Sequence, residues 1–233
     1  EIKEALARKL EAITHGEEHI LALEKKVREL EEAATKQAQV LTRQRKEAGK
    51  AVESSMEQAL MALGMPNVQF KVNITPETQL CAHGSDRVTY LFSANKNGTL
   101  QPVSQVASGG EIARVMLSLK ALISSATSLP TIVFDEIDTG VSGQIAERMA
   151  RIMKEMGEKH GRQVISITHL PQIAAMGRVH YRVFKEDSGE MTNSHIVRLT
   201  EQERVEEIAH MLSGATLTEA ALSNARELLK TQE

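Results

Sequence analysis

The carboxylates in the stretch LPTIVFDEIDTGVSG, residues 129–143, have the most to explain. Thr131, Ile132, Val133 and Phe134 read as a central parallel strand, which ends abruptly in Asp135-Glu136 with Asp138 just beyond. In open α/β sheets ligands sit at the carboxyl ends of strands, so this is where chemistry belongs. Mg2+ takes hard oxygen ligands and keeps its waters, and a strand-end Asp135 can hold such a hydrated ion beside a triphosphate. Glu136, pointing to another side of the strand end, can polarise an attacking water as general base. The plainer alternative is capping, with Asp138 or Ser142 starting the next helix.

Two further stretches share this character. VASGGEIAR, residues 106–114, places Ser108-Gly109-Gly110 ahead of an apolar helix bearing Ile112, Val115, Met116 and Leu119, so backbone N–H groups and a hydroxyl converge at a helix N-terminus. That is an anion-binding geometry, although Ser-Gly-Gly also serves as a simple N-cap. His169 closes the strand-like VISITHLPQ at another strand end. In this order, a serine-glycine phosphate cradle, a Mg-type carboxylate pair and a polar histidine form a nucleotide-hydrolysing set with one part absent. The P-loop pattern Gly-x-x-x-x-Gly-Lys-Ser/Thr occurs nowhere. Gly49-Lys50-Ala51 lacks both the hydroxyl residue and the upstream glycine, since Gln44 stands there, and it lies in a helical stretch. The chain is therefore expected not to hydrolyse ATP unaided.

The elements that position these groups fall into two textures. Residues 2–63 contain no proline and are rich in Ala, Glu, Lys, Leu, Gln and Arg, which is long-helix material. Ile20, Leu23, Val27, Leu30, Ala34, Gln37 and Leu41 keep a heptad seam with charged residues between. Leu6, Leu10 and Ile13 hold a similar spacing in another frame, and THGEEH around Gly16 predicts a break near 14–18. A helix of about 90 Å at 1.5 Å per residue exceeds what a small domain covers, so a coiled-coil arm over 1–64 is expected, with its partner helix elsewhere; the plainer alternative is a solvated helix packed on its own domain. After GMPN the period changes. VQFKVNI and RVTYLFSA, with NKNG as turn chemistry, read as an antiparallel pair. Strands then alternate with helices to about residue 175, which implies a mostly parallel sheet. HYRVFKE and SHIVRLT with DSGE between them read as a hairpin, and two helices close the chain. The second domain is expected over 65–233, and the fold class is α/β.

Bulk properties set outer bounds. The 233 residues are 41% hydrophobic and 25% charged, which argues against disorder, and a net charge of -3 carries no global signature of a nucleic-acid binder. The single cysteine, Cys81, excludes an intramolecular disulfide and a cysteine-rich metal site, pointing to a reducing compartment. The most apolar run, VMLSLKALISS, is interrupted by Lys120, so no membrane association is expected. Lys25, Lys26, Arg28, Arg43, Arg45, Lys46 and Lys50 alternate with glutamates and read as a solvated coil face. With no Trp and 3% aromatics a base-stacking platform is not expected, so any DNA contact would be backbone-directed and salt-sensitive. A start at Glu1 rather than Met reads as a fragment.

The serine-glycine-glycine stretch, the hydrophobic strand with Asp-Glu, the Asp-containing loop and the strand-end His together resemble the second half of an ABC-type ATPase head. The long helix leading into them looks like the returning arm of an SMC-like coiled coil. ASGGEIARVMLSLK, TIVFDEIDTGVSGQIA and ITHLPQIAA are most similar to a bacterial DNA-repair branch of that superfamily. A transporter ATPase would usually have Gln in place of Glu111 and a proline in place of Ile137. The resemblance implies the carboxy-terminal lobe of an ABC/SMC-type P-loop ATPase head, acting in recombinational repair of double-strand breaks, with ATP and Mg2+ as cofactors. It implies Asp135 as the Walker B metal carboxylate, Glu136 as the base and His169 as the switch histidine. Ser108, Gly109 and Gly110, with Glu111 following, would be the signature that meets a nucleotide held by a second head, and Asp138 would sit in the D-loop bridging two heads. The signature opens with Ala107 where many such proteins have Leu. Implied partners are the Walker A lobe of the same head, a second head in a homodimer, and DNA, in a cytoplasmic, nucleoid-associated setting. Two other readings stay open: a chromosome-organising SMC relative, or a non-catalytic dimerisation module.

Overall fold

A computed structural model describes residues 2–106, 108–127, 129–188, 191–214 and 216–230. The chain divides into two compact units, one of residues 1–53 with 71–90, the other of residues 54–70 with 91–233.

The first unit is dominated by α1 (Ile2–Ala62), whose last turns belong to the second unit. The helix runs unbroken through Gly16, so the break expected near 14–18 is not there. A helical glycine costs only about 1 kcal/mol relative to Ala. Here Thr14 bonds back to the Leu10 carbonyl (2.9 Å) and His15 lies 3.6 Å from Glu18, while helix-forming residues continue on both sides. Ile20, Leu23, Val27 and Leu30 are all about half exposed or more, so this part of the heptad seam is an apolar stripe without cover among the described residues. Leu6 and Leu10 are likewise exposed, and the side chain of Ile13 lies outside the described residues.

Further along, the same helix gains a partner. β1 (Gln69–Cys81) and β2 (Gly84–Ser93) are joined through Ala82-His83, with Gly84 at a φ of 99°. Gly49 packs on Val72, since an added Cβ would lie 3.4 Å from the Val72 Cβ. Thr42 donates to Asp86 (2.7 Å), with Arg45 3.4 Å from the same carboxylate. β1 lies at the edge of a three-stranded sheet of order β1-β2-β3, β3 being Gln101–Pro102, and its outward N–H groups need acceptors. Glu53 supplies one: its carboxylate accepts from the Val72 N–H (2.8 Å) and pairs with Lys71 (3.1 Å). Within the second unit Glu57 accepts from the Phe70 N–H in the same way (3.1 Å). One helical turn (i, i+4) thus matches alternate residues of the strand.

Burial opposes the charge on Glu53, but the Val72 N–H, the Lys71 ammonium and the charge of Lys50 outweigh it and hold the carboxyl below its ordinary 4.5. A depressed carboxyl stabilises the folded state above its unfolded pKa, and the contribution is lost as pH falls through the folded value. Substituting Glu53→Ala is expected to lower the opening free energy of the Val72 amide by about 1 kcal/mol at neutral pH, read by hydrogen exchange. The difference from the unsubstituted protein should vanish on acidification below the carboxylate range. An equal difference at both pH values would refute the capping role.

The second unit is α/β. α2 (Gly109–Ala126), β4 (Thr131–Asp135), α3 (Gly143–His160), β5 (Gln163–Ile167) and α4 (Pro171–Ala175) follow in alternation. β4 and β5 pair in parallel, from Thr131 opposite Gln163 to Asp135 opposite Ile167. On α3, Ala146, Met149, Ala150, Met153 and Met156 repeat at helical spacing and are buried against Ile132 and Phe134 of β4 with Leu117 of α2. Gly161, left-handed at φ 60°, stops α3.

Two expectations change here. The strand ending in Asp135 reads as central, yet among the described residues β4 has β5 as its one neighbour and the parallel sheet has two strands. Its second face is open: Val133, Ile165 and Ile167 are 48%, 42% and 52% exposed. The run reads as central because it is apolar on both faces, but this chain covers only one of them. β6 (Tyr181–Ser188) and β7 (Met191–Arg198) form the antiparallel hairpin. Gly189 and Glu190 of its DSGE turn lie outside the described residues. α5 (Glu201–Ser213), opened by a Thr200–Glu203 capping box, and α6 (Glu219–Lys230) pack through Ile208, Ala209, Ala221 and Ala225 with Ala175 of α4.

Candidate functional site

The parallel register sets the carboxyl ends of β4 and β5 side by side. Asp135 is the last residue of β4 and is exposed, directly above the fully buried Phe134. Glu136 follows in the left-handed region, at φ 48°, the one non-glycine residue with positive φ among the described residues. That conformation costs a side chain on the order of 1–3 kcal/mol and persists only where surroundings impose it. Here the Glu136 N–H donates to the Ile167 carbonyl (3.3 Å), while its own carbonyl accepts from the Thr139 hydroxyl (3.0 Å) and N–H (3.3 Å). Asp135 and Glu136 both stay exposed at the strand end.

Asp138 takes the opposite direction. It is 1% exposed, and its Oδ2 accepts from the Thr168 hydroxyl and from the His169 backbone N–H (3.1 Å), with the His169 Nδ1 3.4 Å away. Its Oδ1 is buried without a partner among the described residues. Neither Asp138 nor Ser142 caps α3; Ser142 occupies the N-cap position, but its side chain makes no capping bond. The Asp138 carboxylate is committed to the turn after β5 of its own chain. His169 itself is 67% exposed.

The serine-glycine stretch arrives from the other side. Ser108 is the N-cap of α2 but makes no side-chain cap bond, so its exposed hydroxyl and the first-turn N–H groups are free of the plain capping role. Gly109 is exposed and Gly110 buried; Ala107 lies outside the described residues. A Cβ on Gly110 would come within 2.5 Å of the Gly140 carbonyl oxygen, and one on Gly140, itself at φ 72°, within 3.1 Å of the Gly110 nitrogen. Backbone therefore meets backbone where the signature-like stretch touches the loop after Glu136. Glu111 is half-buried in the first turn of α2.

The structure thus brings Asp135, Glu136, Asp138 and His169 onto one pair of strand ends and sets Ser108-Gly110 against their loop. Sequence reasoning missed four contributors. Gly140 follows three carboxylates as part of a Thr-Gly pair, a turn signal that marks a close approach. Thr168 precedes the strand-end histidine and shares its carboxylate. Arg114 donates to the Gly110 carbonyl (2.9 Å) and the Leu63 carbonyl (3.3 Å), and Arg148 to the Ala62 carbonyl (2.9 Å). Both arginines thereby satisfy carbonyls at the C-terminal end of α1, a contact across many residues that no local pattern announces. No group of three or more His, Cys, Asp or Glu side chains suited to a metal occurs among the described residues. The exposed Asp135 that ends β4 fits a hydrated Mg2+ shared with phosphates, and the site does not fit an all-protein cage. No helix among the described residues is long and apolar enough to cross a membrane.

A comparison with protein-family models finds no match. Curated relatives do match: the DNA repair protein RecN of Treponema pallidum is 38% identical over 90% of this chain, and that of Deinococcus radiodurans 38% over 96%. The Bacillus subtilis RecN is 34% identical over 95%. The chain spans 37%, 39% and 41% of those three proteins, well under half their length. Among solved structures, an SMC head domain with coiled coil and joint from Pyrococcus yayanosii superposes with a TM-score of 0.54 at 19% identity, covering 70% of this chain and 29% of that one. A chain described in a study of ATP-driven dimerization and DNA-stimulated activation of SMC ATPases gives 0.51 at 17%, covering 75% and 99%. In sequence, over its own length, the chain belongs to the RecN family as the carboxy-terminal part of such a protein, with the fold of an SMC-type head.

Proposed function

We propose that this chain completes a composite ATP site in an SMC-like ATPase of DNA double-strand-break repair. The observation that carries the reading is the meeting of three motif loops. Asp135, Glu136 and His169 crown two adjacent parallel strands, and the free N-terminus of α2 abuts their loop at Gly110–Gly140. The relatives are named DNA repair proteins, which supports the biological role, and the SMC-type fold supports the assignment as an ATPase head.

Asp135 would hold Mg2+ through its carboxylate, and that ion would neutralise charge on the β- and γ-phosphates. Glu136, set apart by its left-handed backbone, would take the proton of the attacking water. His169 would donate to the γ-phosphate. Ser108, Gly109 and Gly110, with Glu111 behind them, would meet the γ-phosphate held by a second head, so that ATP joins two heads and hydrolysis releases them. The open face of β4–β5, with Val133, Ile165 and Ile167, suits the absent lobe that carries the Walker A loop. The uncovered seam from Ile20 to Leu30 suits the outgoing coil arm. DNA would be gripped through its phosphates, and a cytoplasmic, nucleoid-associated location follows from that role.

Mixing this chain with a separately purified amino-terminal part that carries the Walker A loop tests the reading. Neither part alone should release phosphate from ATP, and the mixture should. DNA affinity of the full-length protein should fall steeply with salt, by about tenfold or more between 50 and 200 mM. A mixture without turnover would remove the composite site.

A further inference from the structure

The Asp138 carboxylate is buried, its Oδ1 has no partner among the described residues, and the roles proposed above do not use it. All the bonds it makes converge through Oδ2 on two consecutive residues. The Thr168 hydroxyl and the His169 N–H donate to it, the His169 Nδ1 lies 3.4 Å from it, and the Thr168 hydroxyl in turn accepts from the Leu170 N–H (3.0 Å).

An imidazole whose Nδ1 faces a carboxylate carries its hydrogen there, and the opposite nitrogen, Nε2, is then turned away from that partner. His169 is 67% exposed and follows β5, whose end lies beside that of β4, where Asp135 and Glu136 are exposed. Such contacts are often long in a nucleotide-free protein and tighten once the site is filled.

We propose that Asp138 is the positioning residue for His169: its Oδ2 fixes both the main chain and the ring, holding the proton on Nδ1 and presenting Nε2 to the nucleotide. This rests on the reading of His169 as a phosphate-contacting residue. Asp138 acts through the histidine and touches no phosphate itself.

Two measurements on the full-length protein test it. Nitrogen-15 spectra of histidine-labelled protein, with His169 assigned by its loss in His169→Ala, should show a protonated Nδ1, and Asp138→Asn should redistribute the proton between the two nitrogens. A bare Nδ1 in the unsubstituted protein overturns the proposal, whether or not Asp138→Asn folds. In turnover assays, Asp138→Asn should lower kcat by about 10- to 100-fold with KM for ATP nearly unchanged. Adding Asp138→Asn to His169→Ala should produce no further loss; an additional loss of similar size would show a structural role and overturn the proposal. If the unsubstituted protein fails to turn over ATP, the ATPase reading fails, while the spectra still decide the Asp138–His169 relation.

Discussion

Replacing Glu136 by Gln in the full-length protein is expected to reduce ATP turnover by about 10³-fold while leaving ATP-dependent pairing of heads in place. Gln keeps the shape and the hydrogen-bonding reach of the side chain but cannot accept the proton of the attacking water. The substrate contacts proposed for Asp135, His169 and the α2 N-terminus are untouched, so nucleotide should be held and not consumed. The backbone adds a second arm to this experiment. Glu136 sits at φ 48°, where glycine is at ease and glutamate is strained. Glu136→Gly should therefore abolish turnover to the same extent while raising the stability of the lobe by about 1 kcal/mol. Phosphate release and ATP-dependent light scattering report the first variant, and denaturant midpoints the second. Near-normal phosphate release by either variant would refute the role of base.

Gly110→Ala should have the next largest effect. The added methyl lands 2.5 Å from the Gly140 carbonyl oxygen and 3.2 Å from its carbon, and both are main-chain atoms that cannot swing aside. One of the two loops must shift by a sizeable fraction of an ångström. Misplacement on that scale can cost about 10²-fold in rate, with a stability loss of about 1–3 kcal/mol from overpacking. The neighbouring position provides the control. A Cβ on Gly109 would meet only the Thr139 methyl at 3.9 Å, an ordinary contact, so Gly109→Ala should leave stability within about 0.5 kcal/mol. Turnover and thermal unfolding of the two variants side by side check the contrast. Equal behaviour would show that the glycine-to-glycine approach does not constrain the site.

The strands and helices around the site were legible wherever one period dominates. The α3 stripe from Ala146 to Met156 and the short apolar runs of β4 and β5 each announce themselves locally. The site residues were legible as types at strand ends, because carboxylates and a histidine at the tips of apolar runs demand an explanation. Direction was not legible. Nothing in IDTG tells that Asp138 turns inward to Thr168 and His169 while Asp135 and Glu136 stay out, since that follows from the backbone reversal at Glu136. Gly16 misled because its turn-forming tendency is worth about as much as a single helical turn of good formers around it returns. The Glu53–Val72 bond and the arginines at Ala62 and Leu63 join residues far apart in sequence, and a one-dimensional pattern holds no record of such pairs.

The contact between Gly110 and Gly140 has one more consequence. In the proposed assembly each subunit serves two nucleotides, offering its α2 N-terminus to one and its strand-end carboxylates to the other. The same two glycines lie between those duties, with no side chain to cushion a shift. Filling of one site would thereby be felt by its twin, so the paired assembly would respond to ATP as a cooperative unit instead of two independent ones.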